Sequence, residues 1–74
     1  MTDVARLRAD AEPLRRAVAE AEAELVRFDV ETAALEDEAA RAGTRLDPAA
    51  RSGRRAALLA ARAEARSALH RRLR

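Results

Sequence analysis

The chain has 74 residues, with no cysteine, tryptophan or tyrosine and a single phenylalanine, and its formal net charge is +2. Hydrophobic residues make up 49% of it, but 21 of these 36 residues are alanine. Few large apolar side chains and no cysteine exclude a sizeable globular core, a disulfide framework and a thiolate metal site. A chain this short usually needs a further stabilising device, which leaves association with a partner.

The first predicted element is a long helix over about residues 3–42. Its apolar residues recur in steps of three and four, a heptad pattern typical of a coiled coil. Pro13 lies on the outer face, so two versions stay open: a continuous helix kinked near residues 9–13, or a separate segment 1–9. We call the heptad face the seam; its residues are Val4, Leu7, Ala11, Leu14, Val18, Ala21, Leu25, Phe28, Thr32, Leu35, Ala39 and Ala42.

A turn at residues 43–47 separates this helix from a second one, predicted over about residues 48–73. Gly43 can adopt the left-handed conformation that ends a helix. Asp47 followed by Pro48 is typical of a helix start, because the carboxylate caps a free amide and proline fits the first turn. The second helix carries a less regular apolar stripe, formed by Leu58, Ala61, Ala65, Leu69 and Leu73.

Opposite charges divide between the two helices. Residues 1–42 carry eleven acids and six arginines, whereas residues 43–74 carry two acids and nine arginines. Together with the short turn, this predicts an all-α fold: an antiparallel, coiled-coil-like two-helix hairpin that forms a single domain. A turn centred on residue 45 predicts the ion pairs Glu24–Arg66, Glu36–Arg54, Asp29–Arg62, Glu20–Arg71 and Glu38–Arg51.

In that alignment the second helix ends before the first one does. Arg74 reaches only about residue 16, which leaves Val4, Leu7 and Leu14 on an overhang, the part of the first helix that the second does not cover. Uncovered apolar side chains indicate an interface, either with a second copy or with another protein. The candidate interface residues are Val4, Leu7, Leu14, Val18, Leu25, Phe28, Leu35, Leu58, Leu69 and Leu73.

The sequence offers little for catalysis, and we expect no enzyme, no metal, no cofactor and no small-molecule substrate. His70 is the only histidine and stands at a helix end beside arginines, where a solvated side chain suits the helix dipole. The two glycines are isolated, so no phosphate-binding loop is present.

Nucleic-acid binding is the alternative, through the arginine-rich second helix and its C-terminal tail. The second helix has no aromatic residue for base stacking, which speaks against it. The candidate phosphate contacts are Arg66, Arg71, Arg72 and Arg74, of which the tail residues are expected to be the least matched by acids. No apolar run approaches a membrane span and the N-terminus lacks a signal-like hydrophobic stretch, so we expect a cytoplasmic protein.

The whole-chain layout resembles a known family. A long acidic helix, a turn marked by Gly43 and Asp47-Pro48, and a shorter helix rich in Ala, Leu and Arg are similar to the hairpin co-chaperones of type III secretion needle subunits. The resemblance implies a helical hairpin that pairs with a larger helical-repeat chaperone, and it assigns no individual residue. Pro13 and the regular heptads depart from that family, and small coiled-coil adaptors of phages and bacteria match equally well.

Overall fold

A computed structural model describes residues 2–73, with the side chains of residues 4–73. It contains two helices, α1 (Thr2–Ala42) and α2 (Pro48–Leu73). Asp29 pairs with Arg55 and Asp10 with Arg72, so α2 runs back along α1 in the antiparallel sense. The molecule is a rod with dimensions of 62 × 17 × 11 Å. The predicted all-α hairpin is confirmed.

Helix α1 passes through Pro13 without interruption. The version with a separate segment 1–9 is therefore wrong. Proline lacks one backbone donor and costs about 3 kcal/mol in a helix interior. Continuity of the seam offers a reason why the helix persists: Ala11 and Leu14 flank Pro13, and Ala11 is fully buried.

The turn ends α1 through a Schellman motif. Gly43 has φ +72°, and its N–H donates to the carbonyl of Ala40 at 3.3 Å. The N–H of Thr44 donates to the carbonyl of Ala39 at 2.8 Å. At the start of α2, Asp47 Oδ1 accepts a hydrogen bond from the N–H of Ala49 at 3.1 Å. Both predicted boundary signals are confirmed, because each satisfies backbone groups that a helix end leaves free.

The seam is the face of α1 that packs against α2. Its residues from Ala11 to Ala39 are all buried or half-buried, whereas Ala42 at the C-terminal end of α1 is exposed. The most buried side chains of the described residues are those of Ala11, Leu25, Ala39 and Leu58. Alanine at these positions lets two helices approach closely, so the core is a thin line rather than a globule.

The predicted ion-pair alignment is wrong. Asp29 pairs with Arg55, seven residues before the predicted Arg62, and Arg66 pairs with Glu22 instead of Glu24. None of the five predicted pairs forms within the described side chains.

The loop explains the displacement. Residues 44–47 are not helical, and such residues advance up to about 3.3 Å each, against 1.5 Å in a helix. Leu46 and Pro48 line grooves against residues of α1, so the loop runs back along that helix. Consequently the first residue of α2 lies nearer the N-terminus of α1 than counting from the turn centre implies. The partner of Asp29 is displaced by seven residues, one heptad, which keeps the same faces together, so the heptads alone could not fix the alignment.

The stripe of α2 also differs from the prediction. Ala61 is exposed, and the residue one turn after Leu58 that is half-buried is Arg62. The sequence Leu58, Arg62, Ala65, Leu69 has the 4-3-4 spacing that matches the seam, whereas a stripe through Ala61 drifts off it. Arginine tolerates this position because its aliphatic stem can lie on apolar surface while the guanidinium reaches solvent.

Candidate interaction surface

The open end of the hairpin leaves the seam uncovered. Exposure along the seam rises from 0% at Ala11 to 41% at Leu7 and 57% at Val4. Leu73, near the end of α2, is 42% exposed. Leu14 is half-buried and not part of the overhang, because the displaced α2 reaches further than predicted. Arg72 accordingly bonds to Asp10, well beyond the expected limit near residue 16.

A second apolar face lies on the outer side of α1. Val26 and Val30 are 61% and 63% exposed. The alanines that extend this face at steps of four and three, Ala19, Ala23 and Ala33, are also exposed. Sequence reasoning followed the seam and missed this stripe. The same step counting that found the seam, applied to the opposite face, would have found it. We call this second stripe the outer stripe; it consists of Ala19, Ala23, Val26, Val30 and Ala33.

The side chains of most predicted interface residues are already buried or half-buried within the hairpin. Leu25 and Leu58 are buried. A second group is half-buried: Leu14, Val18, Phe28, Leu35 and Leu69. Only Val4, Leu7 and Leu73 of the predicted set remain largely exposed.

Arg66, Arg71 and Arg72, three of the arginines proposed as phosphate contacts, form ion pairs within the chain, so the expectation that the tail is the least matched by acids is wrong for Arg71 and Arg72. Arg66 Nη2 lies 2.7 Å from Glu22 Oε1, and Arg72 Nη2 lies 3.0 Å from Asp10 Oδ2. Arg71 Nη2 lies 3.5 Å from Glu64 Oε1. Arg74 lies outside the described residues. These ion pairs are exposed, so they fix orientation more than they add stability.

Asp29 and Arg55 form the best-aligned ion pair of the hairpin. The Arg55 side chain donates two hydrogen bonds, at 2.9 Å to Asp29 Oδ1 and at 3.2 Å to Oδ2. This two-point contact lowers the pKa of the Asp29 carboxyl and raises the pKa of the Arg55 guanidinium, because each charged form is stabilised by its partner.

Arg51 joins the helices near the turn, and it has no acidic partner among the described side chains. Its Nη1 donates to Thr32 Oγ1 at 3.2 Å, and its guanidinium carbon lies 5.6 Å from the centre of the Phe28 ring. A cation above an aromatic face is attracted by the ring quadrupole. The contact gives the single aromatic residue of the chain a specific place in the hairpin, at a point where the seam contains the polar Thr32.

Ser67 and His70 stand one turn apart on α2 and line one shallow groove with Arg66 and Arg71. No hydrogen bond joins the serine to the histidine, and both are exposed. Among the described residues, no cluster of three or more His, Asp or Glu side chains is arranged to hold a metal ion.

Neither α1 nor α2, over the part of the chain that the structure describes, has an apolar stretch long enough to cross a bilayer. Comparisons with protein-family models, with curated proteins and with solved structures find no match.

Proposed function

We propose that the protein is a non-catalytic interaction module: a small helical hairpin, acting as an adaptor or chaperone subunit, that self-associates or docks on a helical partner. One observation carries this function. The seam is buried at Ala11 and continues uncovered through Leu7 and Val4, in the same heptad pattern. A helix that presents regular apolar steps beyond its own partner is suited to packing against another helix.

The partner that fits the overhang is helical and has an acidic rim. Arg6 and Arg8 flank Leu7 on α1, and both are exposed. An apolar groove with acids at its edge would cover Val4 and Leu7 and neutralise these arginines. A larger helical-repeat chaperone, which the resemblance to the secretion co-chaperones implies, is one such partner. We place the module in the cytoplasm of a bacterium, where a neighbouring secretion or phage gene would identify the pathway.

Nucleic-acid binding has less support as the main role. Arg66, Arg71 and Arg72 each have an acidic partner within 3.5 Å, and a phosphate would have to displace it. A salt titration of binding to duplex DNA and RNA separates the two functions, because phosphate contacts weaken steeply as salt rises. Tight, salt-sensitive binding would favour the alternative.

Light scattering over a concentration series tests the interaction module. We expect either an oligomer or a weakly stable monomer that gains stability from a partner. A monomer at every concentration with a high melting temperature would contradict the function, because such a chain needs no partner. The double variant Val4→Asp, Leu7→Asp is the matched probe of the overhang: both side chains are exposed, so it should leave the helical content of the hairpin unchanged.

A further inference from the structure

We propose that the outer stripe of α1 pairs, in the antiparallel sense, with the outer stripe of a second copy of this chain, forming a four-helix dimer. This inference rests on the proposed function and names one partner and one surface for it. Two independent observations support a second copy: the area that the hairpin leaves exposed, and the distribution of charge along α1.

The solvent-accessible surface area of the chain is larger than that of a compact monomer of the same mass. The chain exposes 5848 Å². A compact monomer of its 8.1 kDa exposes about 4500 Å². The excess of roughly 1300 Å² exceeds the ~800 Å² that each partner contributes to a standard stable interface. A dimer through the long outer face of α1 would therefore remove an amount of surface that a stable association requires.

Charge along α1 selects the antiparallel orientation. Residues 6–16 carry four arginines and two acids, whereas residues 20–38 carry eight acids and one arginine. A parallel pair would lay one acidic segment on the other. An antiparallel pair instead brings residues 6–16 of each copy level with the acids Glu36, Asp37 and Glu38 of the second copy, which lowers the electrostatic energy of these two parts of the contact.

The apolar residues and their flanking charges fix the alignment. With the two-fold axis level with residues 24 and 25, Val26 packs on Ala23 of the second copy and Val30 on Ala19, large against small. Glu20 then lies on the same side as Arg27 of the second copy, and Arg15 on the same side as Glu36. Within the described side chains these four charged residues form no ion pair in the hairpin.

The like charges that this alignment brings together either have an arginine partner within their own chain or lie at the ends of the overlap. Glu22 comes level with Asp29 of the second copy, but each has its own arginine, Arg66 at 2.7 Å and Arg55 at 2.9 Å. Arg6 meets Arg41 at the ends of the overlap, where solvent screens them. Sliding the pair by one heptad would bring Asp29 onto Asp29, so that alignment is disfavoured.

Disulfide trapping tests the interface cleanly, because the chain has no cysteine of its own. Facing positions in the dimer are Ala19 and Val30, whereas each of these residues lies about 16 Å from its own copy along the axis. An equal mixture of the Ala19→Cys and Val30→Cys variants should therefore form a mixed disulfide under mild oxidation, and neither variant alone should dimerise covalently. The control mixes Val30→Cys with Ala63→Cys, which is exposed on α2, and should give no mixed disulfide.

The outcomes separate this inference from the proposed function. A mixed Ala19→Cys/Val30→Cys disulfide together with a dimer mass by light scattering supports the interface. Self-cross-linking of either variant, or an oligomer without the mixed disulfide, overturns it and leaves the interaction module standing. A monomer at all concentrations also overturns it, and a high melting temperature of that monomer would remove the proposed function as well.

A charge reversal supplies a second, independent readout. Arg27→Glu should raise the dissociation constant of the dimer about tenfold, because the two-fold axis doubles the loss of the Glu20 pair. Adding Glu20→Arg should restore it. Equal affinity of all three proteins would overturn the assigned alignment.

Discussion

Buried positions of this hairpin are few, and two of the four most buried side chains are alanines. Ala11 and Ala39 are as enclosed as Leu25 and Leu58, although they bring little apolar area of their own. Their small size allows the neighbouring backbone to come close, and the leucines fill the space between. Stability therefore depends on a small number of side chains, each of which matters.

Shortening Leu58 tests this dependence. The side chain is 5% exposed, and Leu→Ala changes at such positions typically cost 2–5 kcal/mol. We expect Leu58→Ala to lower the free energy of unfolding by about 2–3 kcal/mol in chemical denaturation. The matched control is Leu73→Ala, which removes the same atoms from an exposed site and should cost less than about 1 kcal/mol. Equal losses would mean that Leu58 is not part of the core.

The Asp29–Arg55 pair predicts a pH dependence of stability. The folded pKa of Asp29 is lowered, so its contribution is present above the ordinary value of 3.8 and is lost as pH falls through the lower folded value. Asp29→Asn should therefore lower the melting temperature at neutral pH and have no effect once the carboxyl is protonated. Thermal melts between neutral pH and the acid range measure this, and a constant difference across that range would contradict it.

At the scale of the elements, the turn sets the alignment of the helices. Heptads specify which faces meet, and those faces are the same after a slide of seven residues. The path of residues 43–47 decides between the alternatives, and sequence reasoning had no measure of that path. This is why both helices and the seam were predictable, whereas the ion pairs were not.

The two glycines provide a matched pair of variants for the turn. Gly43 has φ +72°, and an added Cβ would meet nothing within 4 Å, so the only penalty of Gly43→Ala is the left-handed backbone, about 1–2 kcal/mol. Gly53 lies inside α2 with equally open surroundings. Gly53→Ala should therefore stabilise the hairpin by about 0.5–1 kcal/mol. Opposite signs in chemical denaturation are expected; a stabilising Gly43→Ala would contradict the Schellman assignment.

The candidate site, like the fold, was predictable from the sequence only in part. Val4 and Leu7 follow from the seam and the lengths of the helices, and their exposure agrees with the overhang. Leu14 was assigned wrongly because its cover depends on the displaced α2. The state of Arg71 and Arg72 depends on side-chain geometry that spacing does not encode, since Glu64 lies within α2 itself and Asp10 lies far away in the chain.

At the scale of the whole molecule, the hairpin is a rod two helices wide. Its smallest backbone dimension is 11 Å, too small for two helices side by side in that direction. Each helix can therefore bury one face only, and the overhang and the outer stripe stay in water. A rod of this kind is stabilised by whatever covers these surfaces.

The concentration dependence of the melting temperature tests this most directly. Helical circular dichroism of the intact chain should be followed during heating over about a hundredfold range of protein concentration. Because association stabilises the folded state by mass action, we predict that the melting temperature rises with concentration and that Val30→Glu, on the outer stripe, removes the rise. A melting temperature that is high and the same at every concentration would contradict the conclusion that this hairpin is completed by a protein partner.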